Sequence, residues 1–558
     1  MSQSAGEALE GPYDVAIVGF GPSGAVAAGL LGAQGLRVFV CDKSPDVYEL
    51  PRAFALDHEI MRVFQQLGID QAVLAFAEPF TPSEFYGVDG QLIKRFTTVE
   101  PPYPLGFVPS LVFTQPPVER VLRAHVQSLP TVKVTLGREL ISLAQDADAV
   151  TLQLRDGYGA LSAVSARYVL GCDGAASPVR NAVGIKLQDL GFDQPWLVVD
   201  VLVNERGLAK LPLTSVQYCE PLRPCTYLIG PKNHRRWEIS INEGEDPKLL
   251  ATPEGTWELL SRWITPEDGT LWRQASYRFH ALVADRWRSG RVFVAGDAAH
   301  QQPPFLGQGM CQGIRDVANL TWKLGAVLRG EAEDSLLDSY GAERKGHVTD
   351  LTQRIKAIGL LVGERDFAKA RARDAHLLAE CDGEVKSVPR QNVQPALQAG
   401  LLSAQKHPAR GTIFPQPWIS QGNARVRLDA ICGTGWRLVQ CADVALQTDE
   451  AGAAAVAAQS EFIDAARRLQ LRTVRVVTAP YAGSDANVLA ETDGVLGNWF
   501  TQHRCVAALV RPDHYVYTVA LTAADILPMV QAAADDAKYL AISTGDIPCK
   551  EEPSTPCA

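Results

Sequence analysis

Cysteine pairs with the spacing of metal or redox centres are missing from this chain. None of its 11 cysteines forms a C-x-x-C pair, and no group of cysteines and histidines has the spacing of zinc ligands. This pattern argues against a zinc module, and we expect no metal site. Reduced thiols are typical of the cytoplasm, which is the location we predict.

An excess of positive charge is also missing. The chain has 53 Lys and Arg residues against 63 Asp and Glu residues, which gives a net charge of -10. This balance argues against a nucleic-acid partner and favours a soluble enzyme. With 558 residues and no internal repeat, the chain is long enough for two to four domains.

Signals for export or membrane insertion are missing too. The opening residues, MSQSAGEALEGP, lack the basic region of a signal peptide. Residues 15–36 are uncharged and long enough to span a bilayer, but they contain six glycines and a proline and lack a flanking Lys/Arg bias. We therefore expect no membrane association.

The same stretch, VAIVGFGPSGAVAAGLLGAQGL, has the pattern of a strand, a glycine turn and a helix. Gly19 permits the turn, Gly21 lets a pyrophosphate approach the backbone, and Gly24 lets helix and strand pack closely. The N–H groups that open the helix favour the phosphate charge. A second strand ends at Asp42, near the offset of about 20 residues expected of a carboxylate that binds a ribose.

Two later segments narrow the prediction from a dinucleotide to a flavin. Residues 166–180, ARYVLGCDGAASPVR, place Asp173 after a strand, and residues 291–324 place Asp297 after another. A carboxylate at a strand end suits the hydroxyl groups of a sugar-like chain because it only accepts hydrogen bonds. The glycine loop at 307–309 supplies N–H donors and a positive helix terminus for an anionic ring edge.

In the order and separation of these three motifs, the chain resembles the FAD-dependent aromatic ring hydroxylases, the class of para-hydroxybenzoate hydroxylase and phenol hydroxylase. The resemblance covers residues 13–390 well. Residues 51–69, PRAFALDHEIMRVFQQLGI, and 336–348, LLDSYGAERKGHV, look most like the 3-(3-hydroxyphenyl)propionate hydroxylase branch. Residues 433–439, GTGWRLV, and 509–520, LVRPDHYVYTVA, are similar to the terminal domain of the phenol hydroxylase group.

The resemblance implies an α/β fold with a Rossmann-like, glutathione-reductase-type FAD-binding domain, a β-sheet substrate domain and a C-terminal thioredoxin-like α/β domain. The expected bounds are 13–190 and 279–390 for the discontinuous FAD-binding domain, 191–278 for the substrate domain, 391–417 for a linker, 418–545 for the thioredoxin-like domain and 546–558 for a tail. Because the last domain lacks a C-x-x-C pair, we interpret it as structural or oligomerising, and a homodimer is one assembly to consider.

The nucleotide end of FAD is assigned by the same resemblance. Gly19, Gly21 and Gly24 would hold the pyrophosphate, and Asp42, with Lys43 beside it, would hold the adenosine ribose. A second G-x-G-x-x-G motif is missing from the chain. NADH or NADPH would therefore bind only transiently as the reductant, and the Baeyer–Villiger class is disfavoured.

The flavin end is assigned to residues further along the chain. Arg52 would reach the phosphates or the ribityl chain, and Gln115 would contact the flavin from its helix. Asp173 would lie near the pyrophosphate and the nicotinamide nucleotide, and Asp297 would bind ribityl hydroxyls. The residues that would border the isoalloxazine ring are Pro304, Gly307, Gly309 and Met310.

In enzymes of this class, a nicotinamide nucleotide reduces FAD, O₂ adds to form a flavin hydroperoxide, and one oxygen atom enters a phenolic ring. The implied partners are O₂ and a small aromatic substrate, and we predict ortho-hydroxylation of a phenolic acid such as 3-(3-hydroxyphenyl)propionate. An acceptor should face the phenol hydroxyl, and water should be excluded.

Asp57 and His300 are the candidate catalytic residues. Asp57 stands where the phenol hydroxylase group places an acidic residue beside the substrate hydroxyl; the alternative is that it caps the following helix. His300 follows the Gly-Asp motif, and its alternative role is to orient that loop through hydrogen bonds.

Polar and aromatic side chains of the β-rich region are the candidate substrate contacts: Tyr218, Tyr227, Arg235, Arg236 and Trp237. An Arg fork would bind a substrate carboxylate. The alternatives are that the aromatic residues belong to the core and that the arginines are solvated.

Other functions stay open at this point. The same fold could hydroxylate a polyketide-like aromatic or a halophenol, or the chain could be a non-catalytic flavin-binding protein. A flavin halogenase is disfavoured because its lysine-bearing motif is not evident. A membrane-associated, quinone-linked oxidase lacks support because no amphipathic basic helix is present.

Overall fold

The computed structural model describes residues 12–442, 460–478 and 488–539. The first part of the chain alternates strands and helices. Its elements are β1 (Tyr13–Val18), α1 (Pro22–Ala33), β2 (Val38–Asp42), β3 (Ala55–Asp57), α2 (His58–Gln66), α3 (Asp70–Leu74), β4 (Ala77–Pro79), β5 (Ser83–Tyr86), β6 (Leu92–Thr97), β7 (Ser110–Phe113), α4 (Gln115–Gln127), β8 (Val132–Leu136), β9 (Arg138–Gln145), β10 (Val150–Asp156), β11 (Leu161–Gly171) and α5 (Pro178–Ala182).

The middle of the chain supplies long antiparallel strands and then long helices. Its elements are β12 (Leu187–Val203), α6 (Glu205–Leu208), β13 (Ser215–Tyr218), β14 (Cys225–Ile229), β15 (His234–Ser240), α7 (Pro247–Leu250), α8 (Pro253–Leu260), β16 (Gly269–Ala284), β17 (Arg288–Ser289), β18 (Val292–Val294), β19 (His300–Gln301), α9 (Gly309–Leu328), α10 (Asp338–Val362), α11 (Phe367–Ala379) and β20 (Ser387–Pro389).

A parallel sheet brings together the glycine turn and the motifs that carry Asp173 and Asp297. β1 pairs in parallel with β2 and β11, β8 pairs with β2, and β18 pairs with β11. Parallel strands place their carboxyl ends at one edge, where open α/β sheets bind ligands. The glycine turn, Asp42, Asp173 and Asp297 stand at or just after the ends of β1, β2, β11 and β18, so they meet at this edge.

A second sheet, called the large sheet here, has the strand order β19-β16-β12-β15-β14-β13-β5-β6-β20. It extends beyond the 191–278 segment expected for a substrate domain, because β5, β6 and β20 come from outside that segment. On its far side, Trp237 is fully buried in an apolar cluster. The other face of the sheet looks toward the carboxyl edge of the parallel sheet.

The C-terminal part forms a third sheet. Its elements are β21 (Trp418–Gln421), β22 (Ala424–Arg427), α12 (Leu428–Cys432), β23 (Arg437–Cys441), α13 (Ser460–Leu469), β24 (Arg472–Thr478), β25 (Val488–Glu491), α14 (Val495–His503), β26 (Ala507–Val510), β27 (Val516–Ala520) and α15 (Ile526–Tyr539). Parallel β23 and β24 are followed by the antiparallel pair β26 and β27, in the order β24-β23-β26-β27. This is the order of a thioredoxin-like domain.

Buried ion pairs attach this domain to the rest of the chain. Arg62 of α2 is 1% exposed, and its Nε lies 2.5 Å from Oδ2 of Asp429. In the segment expected to act as a linker, Leu401 and Phe414 are fully buried. Leu401 packs in an apolar cluster with residues of the third sheet, and the carbonyl oxygen of Phe414 accepts a hydrogen bond of 2.5 Å from Arg62, so the linker contacts both neighbours. The tail over 546–558 lies outside the described residues.

Across the described ranges, we find no helix that is both long enough and apolar enough to cross a bilayer.

Candidate active site

A cavity of about 710 Å³ lies between the carboxyl edge of the parallel sheet and one face of the large sheet. Its volume is within the range of ligand and cofactor sites. The predicted cofactor residues that line it are Gly19, Gly21, Asp42, Lys43, Arg52, Gln115, Asp173, Asp297, Pro304, Gly307, Gly309 and Met310. Gly24 lies behind this lining, at the contact between α1 and β1.

The glycine turn forms a cradle with one open position. Gly19 has a φ of +101°, and a Cβ atom there would lie 2.3 Å from the carbonyl oxygen of Cys172. A Cβ on Gly24 would lie 2.0 Å from the carbonyl oxygen of Gly19. A Cβ on Gly21 would meet no atom within 4 Å, so space for a ligand remains beside the start of α1. This geometry fits a pyrophosphate.

Two carboxylates hold loops at the edge of the cavity. Asp42 accepts hydrogen bonds of 2.7 Å from the backbone N–H groups of Phe20 and Ser44. Asp173 accepts a hydrogen bond of 2.5 Å from the Ser177 hydroxyl, and burial raises the pKa of Asp173. A carboxylate has about four acceptor positions, so each can also accept a sugar hydroxyl.

Asp297 reaches the cavity at the end of the Gly-Asp motif. Its side chain is exposed to the cavity, no described residue donates a hydrogen bond to it, and desolvation by the surrounding protein raises the pKa of its carboxyl group. A ribityl hydroxyl would supply the missing donor. Behind it, Asp316 accepts a hydrogen bond of 2.9 Å from the N–H of Gly296 and lies 2.8 Å from Nε2 of His300. His300 is buried and does not line the cavity, so this contact positions the loop.

Gln115 holds the segment that carries Arg52. Its Oε1 accepts hydrogen bonds from the N–H groups of Arg52 and Ala53, at 2.9 Å and 2.6 Å. Its Nε2 donates to Glu119 at 3.2 Å. Gln115 thus positions the cavity edge as well as lining it.

Asp57 is the N-cap of α2. Its Oδ1 accepts hydrogen bonds from the N–H groups of Glu59 and Ile60, at 3.1 Å and 3.2 Å, and its Oδ2 pairs with Arg315. Burial opposes ionisation of this carboxyl group, but the charges of Arg315 and His58 and the hydrogen bonds from Arg315 and Ile60 together outweigh burial and lower the pKa of Asp57. Asp57 does not line the cavity. The geometry favours the capping interpretation.

Of the five residues predicted to contact substrate, Arg236 lines the cavity and four do not: Tyr218, Tyr227, Arg235 and Trp237. Side chains alternate across a strand, so Arg236 and Glu238 of β15 share one face and Trp237 points to the other. There, Trp237 packs against Tyr227, with 5.2 Å between the ring centres.

Arg236 is not free to bind a substrate carboxylate. Its Nε and Nη2 donate to Asp200 at 2.7 Å and 3.1 Å, and its Nη1 donates to the carbonyl oxygen of Arg52 at 2.9 Å. Arg273 of β16 donates to the carbonyl oxygen of Pro51 at 2.6 Å and approaches Asp200 at 3.5 Å. Burial of Asp200 is outweighed chiefly by the charge of Arg236, which lowers the pKa of Asp200. The network joins the large sheet to residues 51–52.

Sequence reasoning missed most residues on the large-sheet side of the cavity. They include Phe85, Phe96, Gln217, Thr226, Glu238, Arg273, Tyr277, Phe279 and Arg390. Alternation in residues 234–240 was a usable signal that Arg236 and Glu238 share a face. It does not show which face meets the cavity.

Comparison with known proteins identifies the family. The FAD binding domain family matches residues 12–355. The "Probable NADH-specific resorcinol 4-hydroxylase" of Rhodococcus jostii (strain RHA1) is 37% identical over 547 residues, which cover 98% of this chain and 97% of that protein. The chain belongs to the FAD-dependent aromatic ring hydroxylases.

Further relatives agree with this assignment. The HcaD C-terminal domain family matches residues 411–536 of the hydroxylase. A 3-(3-hydroxy-phenyl)propionate/3-hydroxycinnamic acid hydroxylase of Burkholderia cenocepacia (strain HI2424) is 32% identical, over 90% of this chain and 93% of that one. The solved structure of the flavin-dependent monooxygenase PieE shares the fold, with a TM-score of 0.77 at 22% identity, over 94% of this chain and 98% of that one. The predicted family and α/β fold class are confirmed.

The cavity of this hydroxylase fits FAD, and the cradle, the strand-end carboxylates and the loop over 304–310 are the groups that would hold it. When bound, FAD takes electrons from a nicotinamide nucleotide and activates O₂. The chain's own residues supply the rest: Gln115 and the Asp200 network fix the cavity edge, and Asp316 fixes the loop that presents Asp297. Aromatic side chains such as Phe279 line the substrate side and help to exclude water.

Proposed function

We propose that this hydroxylase uses NADH to insert one oxygen atom of O₂ into a small dihydroxylated benzene of the resorcinol type. The charge of the large-sheet face carries the proposal. Arg236 and Arg273 donate to Asp200 and to main-chain carbonyls, and among the side chains that the strands of this sheet present to the cavity, the remaining charged one is Glu238. A substrate carboxylate would meet a like charge there, whereas a neutral phenol would meet an acceptor.

The relative named as a resorcinol 4-hydroxylase supports this substrate class, since it aligns over 98% of the chain. The name of this relative also supports NADH as the reductant. Hydroxylation at position 4 is ortho to one ring hydroxyl and para to the other, so both oxygens would enrich the reacting carbon in electrons.

A phenolic acid such as 3-(3-hydroxyphenyl)propionate is the second candidate, and Arg390 favours it. This residue lines the cavity, donates through Nη2 to the carbonyl oxygen of Leu306 at 2.8 Å, and lies 4.0 Å from the ring centre of Phe80. Burial lowers the pKa of Arg390 to about 10, so it still carries a charge at neutral pH. Its other nitrogens donate to no described residue and are available to a carboxylate.

Anaerobic stopped-flow reduction of the purified flavoprotein separates the candidates. The ligands are resorcinol, 3-(3-hydroxyphenyl)propionate and a halophenol, each with NADH and with NADPH. We expect resorcinol with NADH to give the largest acceleration, and aerobic turnover to yield 1,2,4-trihydroxybenzene. Faster, coupled turnover of the phenolic acid, lost in Arg390→Met, would establish the second candidate instead. Indifference to every phenol would favour a non-catalytic flavoprotein.

We also propose a cytoplasmic location. The cysteines within the described ranges are free thiols, as expected of a reducing compartment. Fractionation of the source cells tests this location.

A further inference from the structure

One carboxylate of the large sheet reaches the cavity without a protein partner. Glu238 is 3% exposed and lines the cavity, and no described residue donates a hydrogen bond to it. Its Oε2 is completely buried. A buried carboxyl group without a partner is costly, and at a functional site it points to a ligand that supplies the missing hydrogen bond.

The neighbours of Glu238 cannot satisfy it. Across the sheet, Glu238 is paired with Thr226 on β14 and with Val198 on β12. The hydroxyl of Thr226 donates instead to Oε1 of Gln217 at 2.6 Å. Glu238 therefore forms the acidic end of a short polar row, Gln217–Thr226–Glu238, on the wall that faces the cavity.

The rest of this wall is mostly apolar and aromatic. Phe85, Phe96 and Phe279 line the same side of the cavity. A flat aromatic ring can pack against these side chains, and a hydroxyl on its edge can reach the polar row. This arrangement matches a phenol, which is apolar over its faces and carries a hydrogen-bond donor at one edge.

We propose that Glu238 accepts the hydrogen bond of a substrate ring hydroxyl and takes up its proton during hydroxylation. The proposal rests on the proposed function only in requiring a phenol. The proton moves from the ring oxygen to a carboxylate oxygen of Glu238, and the O–H electron pair stays on the ring oxygen. Electron density rises at the ortho and para carbons. One of these carbons forms the new C–O bond to one oxygen atom of O₂ as the O–O bond breaks; NADH supplies the two electrons, and the other oxygen atom leaves as water. That carbon loses its proton to solvent, and Glu238 returns its own proton to the ring oxygen.

The charged groups around Glu238 suit a base that works near neutral pH. Burial raises the pKa of Glu238 to about 7; Arg236 on its own strand and Arg273 on β16 lower it, and Asp200 on β12 raises it. Catalytic bases are most effective when their pKa lies near the working pH. We expect the hydroxylation rate to rise as the pH passes through about 7.

The test compares the wild-type holoenzyme with Glu238→Gln. The matched control is Glu84→Gln, on β5 of the same sheet. The carboxylate of Glu84 accepts hydrogen bonds from the hydroxyl groups of Tyr86 and Thr214, and Glu84 does not line the cavity. With resorcinol, we expect Glu238→Gln to keep its FAD, to lose about 100-fold in hydroxylation rate, and to divert NADH to hydrogen peroxide. The rise in rate through about pH 7 should disappear in Glu238→Gln and persist in Glu84→Gln.

Coupled turnover with an unchanged pH profile in Glu238→Gln would overturn the proposal. Loss of FAD from that variant would also overturn it, because the carboxyl group would then serve the fold. The wild-type profile is an independent measurement, and a rate that is flat through pH 7 contradicts the proposal without any variant. If the wild type does not hydroxylate resorcinol but hydroxylates another phenol, the proposed substrate is wrong. The same comparison of variants with that phenol then tests the role of Glu238.

Discussion

The guanidinium group of Arg236 is bound by the carboxylate of Asp200, with 2.7 Å between Nε and Oδ1. Arg236 is 3% exposed and Asp200 is fully buried, so the pair is shielded from water. Because Arg236 also donates to the backbone at 51–52, the pair connects β12 and β15 to the loop that carries Arg52. Its role is to position the cavity edge.

Asp200→Asn tests this role. Asparagine keeps the shape but leaves the buried guanidinium groups of Arg236 and Arg273 without a counter-charge. We expect the free energy of unfolding to fall by about 3–5 kcal/mol, measured by urea denaturation, and FAD affinity to fall with it. The control is Asp193→Asn, which breaks an exposed pair with Arg278 and should cost less than about 1 kcal/mol. Equal effects of the two substitutions would contradict the assignment.

The glycine turn allows two alanine substitutions with opposite consequences. Gly21→Ala places a Cβ in open space, so the FAD-free protein should keep its stability within about 0.5 kcal/mol while FAD affinity drops. Gly24→Ala places a Cβ 2.0 Å from the carbonyl oxygen of Gly19 and should destabilise the FAD-free protein by about 1–3 kcal/mol. Thermal unfolding and the FAD-to-protein ratio distinguish the two. Wild-type FAD binding by Gly21→Ala would show that the pyrophosphate lies elsewhere.

Much of the cofactor side of the cavity was predictable because its signals are local. Glycine spacing after a strand and a carboxylate at a strand end are visible in short windows of sequence. Parallel pairing then brings Gly19, Asp42, Asp173 and Asp297 to one edge without further information. The thioredoxin-like C-terminal domain was predicted only from family resemblance, and its strand order was not predicted.

The substrate side was not predictable in the same way. Alternation shows that Arg236 and Glu238 share a face, but the face is chosen by packing of Trp237 against the far-side cluster. Asp57 pairs with Arg315, which lies 258 positions away in the sequence, so a local sequence pattern cannot predict this contact. For Tyr227 and Trp237 the sequence leaves a pocket role and a core role open, and the structure places both in the apolar cluster behind the sheet.

Asp57→Asn distinguishes the capping and catalytic interpretations. Asparagine still caps α2, and Arg315 keeps Glu59 as a partner at 2.6 Å. We expect a loss of about 1–3 kcal/mol in the free energy of unfolding, with product formed per NADH unchanged. Diversion of NADH to peroxide, in a variant with wild-type FAD content, would instead make Asp57 catalytic.

Glu343 predicts how acid affects the attachment of the C-terminal domain. Its Oε2 accepts hydrogen bonds from Arg511 at 2.6 Å and from Lys323 at 2.8 Å. Burial opposes its ionisation, but these two charges, together with the hydrogen bonds from Arg511 and Asn319, outweigh burial and lower the pKa of Glu343 to about 2. In the unfolded chain, the pKa of a Glu side chain is about 4.3. The ionised group therefore stabilises the fold fully above that pH, by up to about 3 kcal/mol. This contribution is lost as the pH falls through about 2.

The measurement is the difference in unfolding free energy between wild type and Glu343→Gln as a function of pH. The difference should be largest at neutral pH, because the glutamine leaves two buried cations without their carboxylate, and it should shrink between about pH 4 and pH 2. Glu139→Gln, at an exposed pair with Arg155, should show a small difference at every pH. A difference for Glu343→Gln that stays constant into acid would mean that this carboxyl group does not carry the ionised pairing, and that the domain is attached chiefly by apolar contacts.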